Sequence, residues 1–403
     1  MENEDEGFFG IFKNVKNFPV ERWDPFRTII GSYNEKIGFM SQISPLRALK
    51  KEENQAIQVN PLKKKTFGDS FCDIAQGKLP CLPITIDLEV INNPMETETF
   101  TLNTRTNNRS VASIINMFTP IGRVLFEKSE NSENEKLIFG FPIIHLFLDH
   151  YSVIEDVPKD TLVLMLKNII LTQKKVIKHI QTTTKDKNQP VITLSHFWNI
   201  GRRAGSSIPH LHSQTLIYLK RKGHGWKNQG YLETPEYHKK LKKNKDYCLG
   251  CEITNDESIE NDPLGQKLFL KERIFYKNKS FIAFTSFAPE RDGHIRIFPK
   301  RHISQIEDLK EEEIEDLAEI LIISNTLLSQ FISLFGKKLY IPFDRNIILR
   351  QQHYGYTGPF HLFFEIIPRQ SYGGAEIHDD VRTSLIKPEI VAKYLREFLK
   401  EDN

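Results

Sequence analysis

The chain has 403 residues, 39% hydrophobic and 27% charged, and 55 basic against 52 acidic side chains leave a formal net charge of +3. That length accommodates two domains with cores of their own, and so balanced a charge excludes a polyanion binder acting through its field alone. The acidic start (MENEDEGFFG), four cysteines and a longest nearly apolar run of 12 residues (LIFGFPIIHLFL) speak against a secretory leader or a membrane span and for a reducing, cytoplasmic setting.

Residues 1–19 read as an N-terminal extension. In the first half, PIIHLFLDH closes on His150, and PKDTLVLMLKNIILTQKKVIKHI carries apolar residues at helical spacing after Pro158. PVITLSHFW is strand-like and leads to His210. A basic segment, 221–244, reads as a solvated linker. In the second half, GHIRIFPKRH closes on His302, LKEEEIEDLAEILIISNTLLSQFISLF is a helical pattern, and NIILRQQH leads to His361 in HLFFEIIPR. The order of parts is the same in both halves, and the histidine spacings are 60 and 59 residues. This predicts an internal duplication, 20–220 and 245–403, giving an α+β protein of two domains, each an antiparallel sheet with a long helix.

The stretch AGSSIPHLHSQ, 204–214, carries the chemistry. In an extended strand, residues two apart share a face, so His210 and His212 can look into one site, with Leu211 behind them and Gln214 on their side. Gly205, Ser206 and Ser207 make a polar approach through which backbone can come close to a phosphate. Aligned on the histidines, HLHSQ faces HLFFE in the second half, where Phe363 stands in place of His212. Chemistry is therefore expected in the first half, with the second serving structure or substrate binding.

Cys248 and Cys251 in CLGC form half of a tetrahedral zinc site, and His302 and His361 are expected to complete it. A redox pair is the competing reading, but the strand-to-helix context such a pair needs is not evident. Asp69 and Cys72 in DSFC repeat the spacing in the first half, giving a degenerate set with His150 and His210. The alternative there is that Cys72 is a small buried hydrophobe.

NIGRRAGSSIPHLHSQ, 199–214, resembles the active-site segment of galactose-1-phosphate uridylyltransferases and their histidine-triad relatives. RWDPFRTIIG, NMFTPIG, DHYSVIEDVP, CLGC with GHIRIFPKRH, and FHLFFEIIPR followed by GGAEI and KPEIVAKYLRE are similar to further motifs of that family. The resemblance implies ping-pong transfer from a nucleoside diphosphate sugar to a sugar 1-phosphate, with His212 as nucleophile and Gln214 and Ser207 donating to the phosphate oxygens. It places Asn116, Asn199, Gly205 and Ser206 near the nucleotide, Arg27 on a phosphate from the partner subunit of a homodimer, Glu376 near the sugar, and structural Zn2+ in the protein.

The chain departs from the family in three ways: the first cysteine pair is missing, the second copy has H-x-F, and proline precedes the first histidine. Two other readings stay open. One is a phosphorylase acting on an ADP-sugar or a diadenosine polyphosphate; the other is a non-catalytic nucleotide-binding protein. RNA binding through the basic linker would need strong salt-dependent affinity, against which the near-neutral charge speaks.

Overall fold

The computed structural model describes residues 20–30, 36–43, 60–63, 69–75, 111–116, 122–123, 139–183, 192–219, 242–256, 270–354, 360–379 and 381–401. The first part of the basic segment, most of NMFTPIG and Cys81 lie outside them.

Ten strands form one sheet: β3 (Val111–Ile115), β4 (Gly122–Arg123), β5 (Phe139–Phe147), β6 (Ile192–Ile200), β7 (His212–Leu219), β8 (Ile274–Lys277), β9 (Phe281–Thr285), β10 (Ile295–Pro299), β11 (Arg345–Arg350) and β12 (Phe363–Pro368). The order is β3-β5-β7-β6-β11-β12-β10-β9-β8, with β4 pairing β5. Counted inwards, β3-β5-β7-β6 and β9-β10-β12-β11 run alike, and the two sets meet where β6 and β11 pair antiparallel with Asn199 opposite Asn346. The expected antiparallel sheets are thus present as one continuous sheet. A smaller sheet joins β1 (Val20–Ile30) and β2 (Lys36–Ile43) to β13 (Arg382–Ser384) from the far end of the chain.

Both helical patterns form where expected, as α2 (Lys159–Thr183) and α5 (Glu311–Leu339). The first turn of α5 holds Glu311, Glu312 and Glu313 and its last turn Lys337 and Lys338, which suits the helix dipole at both ends. The Glu313 carboxylate also accepts from the Lys310 amide, one of the otherwise orphaned donors of the first turn. Although α5 is long and apolar enough to cross a membrane, Leu317, Leu321, Leu328, Phe331 and Ile332 are buried in the main core with Trp198, Ile347 and Phe364 of the sheet. Its apolarity is spent inside the protein. The C-terminal helix α7 (Pro388–Glu401) adds Val391, Leu395 and Phe398 to the same core at helical spacing.

The opposite face of the sheet is covered by short elements. Helix α1 (Ser70–Ala75) brings Phe71 against Ile114, Ile144 and Leu146, and α3 (Leu249–Asp256) brings Leu249 and Ile253 against Phe284, Phe298 and Phe363. These two helices carry the Asp69/Cys72 and Cys248/Cys251 segments, so the candidate metal ligands sit at equivalent places in the two halves of the sheet.

The seam between the halves is held by an ion pair in the interior. Arg345, fully buried at the start of β11, pairs with Glu155 and donates to Asn325 Oδ1 (2.7 Å) and the Phe343 carbonyl (3.0 Å), while Ser329 donates to Glu155 (2.6 Å). Each of the three guanidinium nitrogens has an acceptor, which helps a buried charge to be tolerated.

Candidate active site

His212 opens β7, whereas His210 lies in the turn before it, so the two histidines do not share a strand as the H-x-H pattern suggested. Both rings nevertheless face the same helix: Phe71 packs edge-on against His212 at 4.8 Å and His210 at 5.9 Å between ring centroids.

Hydrogen bonds give the two imidazoles opposite tautomers. His210 Nε2 lies 2.8 Å from the Phe147 carbonyl, and His212 Nδ1 lies 2.7 Å from the His210 carbonyl. A carbonyl only accepts, so each of those nitrogens carries the proton. His210 is left with its lone pair on Nδ1 and His212 with its lone pair on Nε2. Burial pushes the His212 pKa below the usual imidazole range, partly offset by its hydrogen bond to the His210 carbonyl, so the ring is neutral at neutral pH. A neutral imidazole with an oriented Nε2 lone pair is the form that attacks phosphorus.

The loop before β7 follows from its glycines. Gly201 has φ +85° and Gly205 φ +94°, conformations that a side chain rarely adopts. Between them lies a single 3-10 turn, Arg202–Ala204. Ser207 is exposed, and no hydrogen bond engages it among the described residues. Ser206 is buried and donates to the Ile208 carbonyl (2.6 Å), so its hydroxyl is spent on the loop. Asn199, Gly201, Arg202, Ser206, Ser207 and His210 line a cleft of about 330 Å3 together with Leu62 and Ser152. Asn116 Nδ2 donates to Gln214 Oε1 over 3.5 Å, which unites those two expected residues.

Two further expected substrate residues are not joined to this loop by any described hydrogen bond. Glu376, in α6 (Gly374–Asp379), accepts from Arg291 Nη1 (2.6 Å), the Gly373 amide (2.7 Å) and the Thr383 amide (2.9 Å), and no described hydrogen bond joins it to residues 201–212. Arg27 lies in β1 at an irregularity in the pairing with β2, and its side chain is outside the described residues.

Both four-residue donor sets assemble, Asp69, Cys72, His150 and His210 in one and Cys248, Cys251, His302 and His361 in the other, with the ligand atoms of each set within 4.8 Å of one another. In the first, Cys72 Sγ lies 3.3 Å from His150 Nδ1 and 3.5 Å from His210 Nδ1. In the second, Cys251 Sγ lies 3.3 Å from His302 Nδ1, and Cys248 Sγ 3.6 Å from His361 Nδ1. With metal–sulfur and metal–nitrogen bonds of about 2.3 and 2.0 Å, two corners of a tetrahedron are separated by about 3.5 Å.

The outer hydrogen bonds agree with that geometry. His361 Nε2 donates to the Pro299 carbonyl (2.8 Å) as His210 does to Phe147, while Ser152 and Ser304 stand beside Nε2 of His150 and His302 at 3.4 and 3.5 Å. Every imidazole therefore turns Nδ1 inward, the arrangement by which second partners orient metal ligands. Asp69 Oδ2 is buried and faces His150 Nδ1 at 3.2 Å, so it is aimed at the same point as the other donor atoms. Burial raises the Asp69 pKa, but the Cys72 amide and the two histidines outweigh it and keep the carboxyl ionised. The Cys251 pKa is lowered, first by its hydrogen bond to Cys248 and, against the opposing effect of burial, by His361 and His302, which favours the thiolate form suited to a metal. Gly250 is required between the cysteines, because a Cβ there would stand 2.4 Å from the His361 ring. The residues present thus fit zinc in both sets.

The position matching His212 in the second half is filled. Phe363 packs with Phe298 at 4.8 Å, and Glu365, in place of Gln214, is fully buried with Arg350 (2.8 Å), Arg296 (3.1 Å) and His294 (3.2 Å). Burial raises the pKa of that carboxyl, but the two guanidiniums and His294 hold it well below the usual range. This half of the sheet has no histidine to serve as nucleophile at that place.

Two features escaped the sequence reading. His145 and His196 lie buried under the sheet, joined through the Thr215 hydroxyl at 2.8 Å each. Asn346 and Asp344 reach the loop from the second half. An alternation of histidines with apolar residues marks the first pair as inward-facing; nothing local marks the second.

The chain thus places a histidine at the start of a sheet strand, after a glycine-serine loop, and assembles two sets of Cys/His/Asp donors. The HIT domain family model matches residues 269–344 of the chain. It is 26% identical over 125 residues to the galactose-1-phosphate uridylyltransferase of Thermotoga maritima, covering 31% of this chain and 34% of the relative, so the chain spans about a third of the length of the curated relative it matches. Among solved structures, an ADP-glucose phosphorylase from Arabidopsis thaliana with bound ADP-glucose superimposes with TM-score 0.64 and 21% identity over 94% of this chain and 99% of that one. A uridylyltransferase does so with TM-score 0.56 and 23% identity over 72% and 87%. At these identities the likeness to solved structures establishes the fold.

Proposed function

We propose that the protein is a nucleotidyltransferase working by a ping-pong reaction through a nucleotidyl-histidine on His212, with UDP-glucose and a hexose 1-phosphate as its substrates. The observation that carries this reading is the tautomer of His212. Its Nδ1–H is held by the His210 carbonyl, which leaves the nucleophilic lone pair on Nε2 of a ring whose pKa is lowered by burial. In the first half-reaction Nε2 forms a bond to the α-phosphorus while the bond to the bridging oxygen breaks and its electron pair leaves with the sugar 1-phosphate. In the second, a phosphate oxygen of the acceptor displaces the imidazole. Ser207, Gln214 and Asn199 donate to the nonbridging oxygens as charge moves onto them, while the Gly205 and Ser206 amides are held by the Arg202 and Gly201 carbonyls and keep the loop in shape.

Asp69, Cys72, His150 and His210 would hold zinc, which would supply positive charge and a fixed anchor there. His210 passes that order to His212 through its own carbonyl. Zinc at Cys248, Cys251, His302 and His361 is assigned a structural role. In a homodimer, Arg27 is assigned to a substrate phosphate and the Glu376 segment to the sugar.

A second reading, adenylyl transfer from an ADP-sugar to inorganic phosphate, is supported by the likeness to an ADP-glucose phosphorylase over 94% of this chain. Intact-protein mass spectrometry after brief incubation with UDP-glucose or ADP-glucose, without acceptor, tests both. A UMP adduct absent from His212→Ala supports the first, and an AMP adduct replaces it with the second. No adduct from either rules out a covalent mechanism on these donors.

A further inference from the structure

The loop that carries the phosphate-binding residues is shaped from outside its own half of the chain. Asn346, on β11, is buried, and its Nδ2 donates to the Ala204 carbonyl (2.9 Å) and to Asn199 Oδ1 (2.7 Å). Because the Ala204 carbonyl only accepts, it fixes which end of the Asn346 amide points at the loop. Asn346 in turn fixes Asn199: with Oδ1 engaged, the Asn199 Nδ2 is turned towards the loop, 3.4 Å from the Gly205 carbonyl. Two residues earlier, Asp344 Oδ1 accepts from the Arg203 amide (2.8 Å). The same oxygen lies 2.4 Å from where a Cβ on Gly201 would stand, so carboxylate and glycine are fitted to each other. Between them Arg345 points to the opposite face and is locked to Glu155, which pins the register of the strand that presents both residues.

We propose that Asn346 and Asp344 are positioning residues that hold the 201–207 loop and the Asn199 amide in the conformation that receives the phosphates of a nucleoside diphosphate sugar; this rests on the transferase reading above. The second half of the chain, which has Phe363 where His212 stands, thereby contributes to the reaction as a rigid template. Pre-set geometry of this kind is worth large rate factors, because a shift of about 1 Å in a phosphate-binding group costs on the order of 100-fold.

The test compares Asn346→Asp, Asp344→Ala and Asp344→Asn with wild type. Asn346→Asp keeps the size but sets a carboxylate against the Ala204 carbonyl. Asp344→Ala removes the acceptor for the Arg203 amide, and Asp344→Asn retains one. Three readouts are taken on each: the single-turnover rate of adduct formation on His212 from whichever of UDP-glucose and ADP-glucose labels wild type, hydrogen exchange in peptides covering 199–207, and the thermal midpoint. The expected result is labelling about 10- to 100-fold slower for Asn346→Asp and Asp344→Ala, with faster exchange confined to 199–207, little change in midpoint, and most of the rate recovered in Asp344→Asn. Labelling at the wild-type rate in the first two variants, or Asp344→Asn as slow as Asp344→Ala, overturns the proposal. If neither donor labels wild type, the transferase reading fails by itself. The exchange data then decide separately, unchanged protection of 199–207 overturning the hold of Asn346 and Asp344 on the loop and increased exchange supporting it.

Discussion

Acid should unfold this protein through two histidines that take no part in the site. The polar chain beneath β7 runs one way. Ser113 Oγ accepts from Asn168 (2.7 Å) and Thr172 (3.2 Å), so its own proton goes to His145 Nδ1 (2.7 Å). His145 Nε2–H then donates to Thr215, and Thr215 to His196 Nδ1. Each imidazole carries one proton and is fully buried, and a second proton on either would break the chain. Burial lowers the pKa of His145 to about 3, and burial together with His145 lowers that of His196 well below the usual range.

In the unfolded chain both titrate near 6.5, so below that pH the unfolded state binds more protons and stability falls as pH falls. From pH 7.5 to 5.0 each site should lose about 2 kcal/mol, about 4 kcal/mol for the pair, with a slope approaching roughly 2.7 kcal/mol per pH unit. Urea unfolding across this range in wild type and in a His145→Asn/His196→Gln variant isolates the pair from other titrating groups. Heteronuclear NMR of the imidazole carbons follows the pair in wild type should the variant fold poorly. Equal slopes in the two proteins, or imidazole titration near pH 6.5 in the folded state, would refute the reasoning.

Other predictions concern the seam and the donor sets. Glu155→Gln leaves the Arg345 guanidinium buried without its counter-charge and should cost about 3–5 kcal/mol of stability by urea unfolding; a loss below about 1 kcal/mol would mean that the pair is hydrated. Replacing Cys248 and Cys251 together by serine should remove about one zinc ion per chain from a fourfold donor set, read by elemental analysis, and metal content equal to wild type would exclude that site. Gly250→Ala forces a methyl against the His361 ring and should destabilise by about 1–3 kcal/mol, again with loss of metal; a wild-type melting curve would contradict the close approach.

Much of this was readable in the sequence because it was periodic or spaced. The 3.6-residue patterns of α2 and α5 and the C-x-x-C and D-x-x-C spacings are local properties, and the matched order of strand, histidine and helix places the remaining ligands. The strand that the H-x-H spacing predicted does not include His210, which a turn sets, although both rings contact Phe71. What sequence could not supply was which half would touch which. Asn346 and Asp344 are ordinary strand-entry residues until β11 pairs with β6. Glu155 and Arg345 are two surface-type charges until the seam closes over them. The role of His145 as a neutral core residue depends on Ser113 and Thr215, 32 and 70 positions away. Local chemistry sets which side chains are capable of binding a metal or attacking phosphorus. Their protonation, tautomer and aim come from burial and from hydrogen bonds to distant backbone, which exist only once the sheet has formed.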